Sequence, residues 1–504
     1  MKKYILEIVV FVCGAALMIF ELVGSRIFAP YLGTSLVVWT SLIGIIMGSL
    51  SLGYYIGGII ADKNPQYKIL AFIVLASAVA ISIAAAIQYT VLSILLGTVK
   101  DLRVGSLIAS IILFAPASMI FGMISPYAIK LKLENLNDSG EKIGGMYAIS
   151  TVGSIVGTFF CGFYLMPVFG TVKILLILII VLVLISILTF IVSGENIKIK
   201  NMIIRDVIIL FLFFGVFYSN SVLANGLKSS IIDIDTQYNR VLIFETIDPI
   251  TKRPIRGYTT DPHGSQSAIF LDQDNDLVFN YLKFYRLSNH FNPAIKKALM
   301  IGGGAFTYPR DFLHRNPEAK MDIVEIDNEL ENIAKKYFNY LDDTRVKVYN
   351  EDGRIFLNKN KKEYDCIFVD AYNSRFSIPY QLTTKETIEE IYNSLDVNGV
   401  VLANVISAID GDNGRFLRAE IATYKTKFPQ VYIFPITEPT NGSKVQNILL
   451  VALKSNVVPV FKNDNQELNK YLDNLWTKKI ENDMPILTDD YAPVDYYTMS
   501  LLSK

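Results

Sequence analysis

Apolar and polar positions divide this chain into two regimes. The first half holds seven apolar runs of about twenty residues, at Tyr4–Val23, Leu36–Ala61, Ile69–Tyr89, Gly105–Ile129, Met146–Val168, Lys173–Val192 and Ile204–Leu223. A helix of that length crosses roughly 30 Å of hydrocarbon, so the pattern predicts a transmembrane helical domain over residues 1–224, with about seven spans. From Ser229 the apolar runs shorten. Val241–Phe244 and Ala268–Leu271 read as strands of a β-rich cap over residues 225–292. From Lys297 short apolar strands alternate with amphipathic helices. The strands are Ala298–Ile301, Met321–Val324, Val346–Tyr349, Asp365–Val369 and Val400–Val405, and helices are expected around Arg310–His314 and Glu329–Phe338. This rhythm predicts a doubly wound parallel sheet. The fold class is therefore an α-helical transmembrane bundle followed by an α/β Rossmann-like, methyltransferase-type domain over 293–504, entered through the cap.

Several positions refine the helical half. Gly44 with Gly48, Gly53 with Gly57 and Gly153 with Gly157 have the spacing that lets helix backbones approach closely in lipid. Pro116 and Pro126 predict kinks in the fourth run. Glu21, near the end of the first run, is costly at that depth unless paired, and Arg26 five residues on is the expected partner. With the N-terminus inside, ten basic residues fall in inner segments and four in outer ones, which favours that orientation. Seven spans then carry the C-terminal domain outside, whereas a domain using an intracellular nucleotide cofactor is expected inside. The side of the multi-pass cell-membrane protein on which that domain lies is left open.

Composition sharpens the division. Residues 1–224 hold 14 Lys/Arg and 9 Asp/Glu, and the remaining 280 hold 33 and 38. The second half thus has the charge density of an ordinary soluble domain. Net charge is zero, and no nucleic-acid partner is expected. Cys13, Cys161 and Cys366 form no CxxC pair, so neither a disulfide framework nor a metal site is expected. The first apolar run lacks a small-residue cleavage site and is followed by further runs, so no cleavable signal peptide is expected.

Candidate chemistry sits at the carboxyl ends of the predicted strands, where open α/β sheets bind ligands. Gly302, Gly303 and Gly304 let a ligand approach the backbone and the start of a helix. Glu325 lies 21 residues beyond Gly304, where an acid can accept both hydroxyls of a ribose. Asp352 and Gly353 suit an adenine amino group, and Asp370 lies where a transferred group would be. Taken singly these are a structural glycine turn, two solvated loop acids and a helix N-cap; in order at successive strand ends they read as a nucleoside site.

These residues resemble the spermidine synthase family of polyamine aminopropyltransferases over roughly Tyr238–Val405, and specifically its membrane-spanning branch with an N-terminal helical bundle. Glu21-Leu22-Val23-Gly24-Ser25-Arg26 with Trp39 adds to that likeness. The resemblance implies a β cap on a Rossmann-like sheet, decarboxylated S-adenosylmethionine as co-substrate and a small amine acceptor. It assigns Gly302–Gly304 and Arg310 to the glycine turn, Glu325 to the ribose, Asp352 and Gly353 to the adenine side, and Asp370 to catalysis. Tyr238 matches a cap tyrosine, and Gln266, Tyr281 and Asn373 fall on the acceptor side. Three positions depart from the family: Ala305 and Asn373 stand where it has acids, and Leu282-Lys283 where it has His-Glu.

The expected activity is a membrane-anchored aminopropyl transfer to an amine with Asp370 as general base. One alternative is an S-adenosylmethionine-dependent methyltransferase on the same fold, with which Ala305 is compatible. Another is a non-catalytic transporter or sensor with a nucleoside- or polyamine-binding domain. Gly58-Ile59-Ile60-Ala61-Asp62-Lys63 motivates the latter, since it resembles the loop after the second helix of major-facilitator transporters. The expected partners are the lipid bilayer and a small amine, with a homo-oligomer left open.

Overall fold

The computed structural model describes the 504-residue chain apart from residues 1–3, 34, 100, 134–138, 194–230, 261–263, 273–275, 361, 372–377 and 499–504. The chain forms two compact units, Met1–Arg240 and Val241–Lys504.

The first unit is helical. Its helices are α1 (Ile5–Leu32), α2 (Leu36–Lys63), α3 (Tyr67–Thr98), α4 (Leu102–Leu113), α5 (Ala115–Lys132), α6 (Ser139–Phe160) and α7 (Thr171–Val192). Among the described residues five helices are long and apolar enough to cross a membrane. The fourth run of the sequence is broken: α4 and α5 meet at 52°. The break falls at Phe114, and Pro116 then sits in the first turn of α5, where its missing N–H leaves no helical bond unmade. Pro126 lies inside α5, which continues through it. The seventh expected span, 204–223, lies outside the described residues.

Two of the three glycine pairs do what their spacing predicts. A Cβ on Gly57 would stand 2.5 Å from Met123 Cα of α5, and one on Gly53 would overlap the Met119 carbonyl. Gly153 and Gly157 meet α1 in the same way, at Phe11 and Ala15. Gly44 and Gly48 do not pack: no described atom lies within 4 Å of a Cβ at either position. The expected Glu21–Arg26 pair also does not form among the described residues. Arg26 donates instead to the carbonyl oxygens of Thr236 (3.0 Å) and Gln237. At the other end of the helices Lys132 pairs with Glu7 (2.7 Å) and Lys130 with Asp62 (2.6 Å), so Asp62 of the transporter-like motif closes an ion pair between α2 and α5. Strand β1 (Ile232–Asp235) ends this unit.

The second unit opens on strands β2 (Arg240–Ile247), β3 (Pro254–Thr259) and β4 (Ser267–Phe270), paired antiparallel in that order. A short helix, α8 (Asn280–Phe284), leads to the main sheet. Its strands are β5 (Lys297–Ile301), β6 (Lys320–Val324), β7 (Val346–Tyr349), β8 (Tyr364–Val369), β9 (Leu395–Ser407), β10 (Gln430–Pro435) and β11 (Gln446–Leu453). Between them run α9 (Thr307–Arg315), α10 (Glu329–Tyr337), α11 (Gly353–Lys359), α12 (Lys385–Asn393) and α13 (Arg415–Tyr424).

The strand order is β10-β11-β9-β8-β5-β6-β7. The sheet is mixed rather than wholly parallel, because β11 runs antiparallel to both neighbours. No helix separates β10 from β11, and an antiparallel return needs no helical crossover. Strands β5, β8 and β9 are buried almost throughout, which explains their unbroken apolar runs. One apolar core contains Leu299, Ile367 and Val401, and a second contains Met300, Phe368 and Leu402. Alternate residues of each central strand thus serve opposite faces of the sheet.

Candidate active site

The strand order reverses between β5 and β8, so the loops leaving their carboxyl ends diverge and open a crevice. Backbone packing there is tight. The Asp370 amide donates to the Ile301 carbonyl at 2.9 Å, which sets the start of the β8 loop directly beside the glycine turn. Gly302 has φ +94°, and a Cβ on it would overlap the Asp370 carbonyl oxygen. Only glycine satisfies both constraints. Gly304 (φ +54°) faces the cap, where a Cβ would stand 3.5 Å from the Tyr258 hydroxyl. Phe306 is also left-handed (φ 57°), an uncommon conformation for a bulky residue, and its ring packs on Tyr340 at 4.7 Å. Helix α9 then begins with no side-chain cap.

Glu325 is buried, and its carboxylate is turned onto the glycine turn. Oε2 accepts from the Gly303 amide (2.8 Å) and the Gly304 amide (3.3 Å), while Oε1 accepts from the Asp327 amide (3.0 Å). Burial raises its pKa, and the three backbone donors oppose the rise. Asp352 is the N-cap of α11, accepting from the amides of Arg354 (2.8 Å) and Ile355 (3.1 Å). Its other oxygen meets Gln381 Nε2 at 3.4 Å. Gly353 begins that helix, and a Cβ there would stand 2.7 Å from Ile301 Cγ2, so it too is held at glycine by packing.

Asp370 lies at the centre. Its Oδ1 accepts from Asn404 Nδ2 at 3.1 Å, and Asn404 Oδ1 in turn accepts from Asn447 Nδ2 at 3.0 Å. The hydroxyls of Tyr281 and Tyr285 also hydrogen-bond its side chain. Burial pushes the carboxyl up to about 6, and these three donors hold it from going higher. From the cap, buried Tyr258 faces the same acids: after burial itself, the charges of Glu325, Asp327 and Asp370 raise its pKa. The crevice thus gathers one buried and one half-buried carboxyl and three phenols around the glycine turn.

The structure brings together Gly302, Gly303, Gly304, Glu325, Tyr281 and Asp370, with Asp352 and Gly353 at the end of the next strand but one. Ala305 is buried beside the turn. Arg310 is half-buried in α9, with its Nε enclosed and unpartnered. Gln266 follows the cap turn, its amide donating to the Tyr258 carbonyl at 2.9 Å. Tyr238 is exposed and belongs to the first unit. Asn373 lies outside the described residues. Sequence reading missed Tyr258, Tyr285, Asn404 and Asn447. A signal existed for two of them: Asn404 is the one polar residue inside Val400–Val405, and Tyr285 stands one helical turn after Tyr281.

Residues 285–462 match the family model for the spermine/spermidine synthase domain. A polyamine aminopropyltransferase of Vibrio vulnificus is 31% identical over 180 residues, covering 35% of this chain and 58% of that protein. The chain therefore spans little more than half the length of that relative. Polyamine aminopropyltransferase 1 of Streptomyces coelicolor is 21% identical over 402 residues, covering 73% of this chain and 69% of the other, a stretch longer than the second unit alone. A probable spermidine synthase structure from Corynebacterium glutamicum covers 48% of this chain and 85% of its own, at 22% identity and a TM-score of 0.39. Over residues 285–462 this chain is thus similar to the spermine/spermidine synthase family.

Proposed function

We propose that the second unit transfers an aminopropyl group from decarboxylated S-adenosylmethionine to an amine, with Asp370 as general base. The observation that carries this reading is the place of Asp370 at the switch point of the sheet, with its backbone packed against the glycine turn and its half-buried carboxyl pushed up to about 6 by burial. An acceptor amine arrives as an ammonium and cannot attack carbon until it loses a proton. Asp370, ionised at neutral pH, accepts that proton as the nitrogen forms its bond to the methylene beside the sulfonium. The carbon–sulfur bond breaks, and sulfur leaves with the electron pair as the neutral thioether of methylthioadenosine. In this reading Glu325 holds the ribose and Asp352 the adenine side of the co-substrate, and the anionic crevice favours a cationic centre.

The test uses the full chain in detergent or lipid nanodiscs, given decarboxylated S-adenosylmethionine with putrescine and a panel of monoamines. Methylthioadenosine is expected as product, and Asp370→Asn lowers its rate by about 10²–10⁴-fold, the usual worth of a positioned base. S-adenosylhomocysteine from S-adenosylmethionine, with no methylthioadenosine from the decarboxylated form, would replace this reading with a methyltransferase. Binding without either product would make the unit a sensor.

The apolar helices of the first unit are proposed to cross the cell membrane and anchor the enzyme there. Their length and hydropathy support this, and so does the burial of little more than a fifth of the most apolar window of α6 inside the unit.

A further inference from the structure

Behind Asp370 lies a hydroxyl that sequence reading passed over. Tyr285 is fully buried, its ring packed against Tyr281, Tyr308 and Phe368 at centroid distances of 6.1, 5.0 and 5.3 Å. Its hydroxyl stands 3.5 Å from the Val369 carbonyl, the outer limit of a hydrogen bond, and also bonds the Asp370 side chain. A phenol has one proton to give, and the carboxylate is the stronger acceptor. On the other side Asn447 donates to the oxygen of Asn404, which turns the Asn404 amide nitrogen toward Asp370. Among the described residues Asp370 therefore receives three neutral donors: Asn404, Tyr281 and Tyr285. An ionised carboxylate has about four acceptor sites, so roughly one is left for an incoming N–H.

We propose that Tyr285 is a positioning residue for Asp370, holding its carboxylate ionised and in one rotamer with a single acceptor site open, and that Asn447 does the same from the far side by fixing the Asn404 amide. The role rests on the transferase reading above. Burial alone drives the carboxyl toward its neutral form, which cannot take a proton, and each donor to the anion opposes that drift. The groups facing Asp370 among the described residues are Tyr281 and Tyr285 from α8 and the turn after it, Asn404 from β9 and Tyr258 from β3; Glu325 and Asp327 act on Tyr258 from behind. Arg375 follows in the sequence, outside the described residues, and is common to every variant compared.

Two readouts test the proposal in the full-length protein. The first is the pH dependence of kcat/KM. Tyr285→Phe moves the acid limb upward by about 0.5–1.5 pH units, the scale of losing one donor to an anion, so that its loss of rate is larger at pH 6 than at pH 9. Asn447→Leu moves it in the same direction. Tyr308→Phe, in the same aromatic cluster but not among the donors to Asp370, leaves the limb in place. The second readout needs no turnover: the infrared carboxyl band that disappears in Asp370→Asn is titrated directly, and its midpoint rises in Tyr285→Phe. A uniform loss of rate with limb and midpoint unmoved would make Tyr285 a packing residue and overturn the proposal. Should Tyr285→Phe fail to fold, an unmoved midpoint in Asn447→Leu overturns the Asn447 arm by itself. Absence of methylthioadenosine from the wild type sinks the transferase reading instead, while the infrared midpoint still decides whether Tyr285 holds the carboxylate.

Discussion

At the scale of the residue, Asp370 joins two properties that pull against each other. Burial lifts its carboxyl to about 6 from the ordinary aspartate value of 3.8, so the folded chain binds this proton more tightly than the unfolded chain. Below about pH 4 the group is protonated in both states and contributes nothing. As pH rises through 4 to 6 the unfolded chain ionises first, and stability falls; above 6 the loss is constant. Removing the charge removes that loss, which already includes the opposing bonds from Asn404, Tyr281 and Tyr285. Asp370→Asn is therefore expected to stabilise the second unit by roughly 3 kcal/mol at pH 8, with the advantage vanishing near pH 4. Thermal melts of both forms across that range, followed through the transition of the second unit, check the sign. A gap independent of pH would mean that the carboxyl is not desolvated. Loss of activity together with gain of stability is the signature of a group kept for chemistry rather than packing.

At the scale of the element, glycine separates close approach from mere spacing. Gly53→Ala and Gly57→Ala place a methyl group against the α5 backbone at Met119 and Met123, while Gly44→Ala and Gly48→Ala meet open space on the same helix. The first pair is expected to destabilise the helical unit by roughly 1–3 kcal/mol, and the second to change it by less than about 0.5 kcal/mol. Thermal unfolding in one detergent compares the four; equal effects would sink the assigned α2–α5 packing. In the second unit Gly302→Ala combines a backbone overlap with a left-handed φ, and should abolish product formation while costing more than about 2 kcal/mol. The same contrast shows what sequence carries. Strands β5, β6, β8 and β9 were legible because each is mostly buried and so reads as an apolar run, while the more exposed β7 followed from the alternation of strands and helices. The returning β11 was not, since an apolar run states burial and not direction. Gly302, Glu325 and Asp370 were legible because each stands at the end of such a run. Tyr258 and Asn447 were not: they come from β3 and β11, strands whose nearness to the crevice is set by tertiary pairing alone.

At the scale of the whole molecule, contacts inside the first unit fix which end of the bundle the chain leaves by. Asp235 accepts from the Thr171 amide at the start of α7 (3.0 Å), and the neighbouring Thr236 carbonyl accepts from Arg26 near the end of α1. Both lie at the end opposite Glu7, Asp62, Lys130 and Lys132, which pair with one another across α1, α2 and α5. Helix α7 has 22 residues, about 33 Å at 1.5 Å per residue. Its last residue and Asp235 therefore stand at opposite ends of the bundle. The end holding Glu7 and Asp62 carries Lys63, Lys68, Lys130, Lys132 and Lys142, against Arg26, Arg103 and Lys173 at the other. If the lysine-rich end faces the cytoplasm, as basic loops do, the second unit starts from the outer surface. Protease added to sealed right-side-out vesicles should then digest the second unit and leave the bundle. Protection of that unit would mean that the bundle inserts with its lysine-rich end outward, and that the site at Asp370 draws its co-substrate from the cytoplasm.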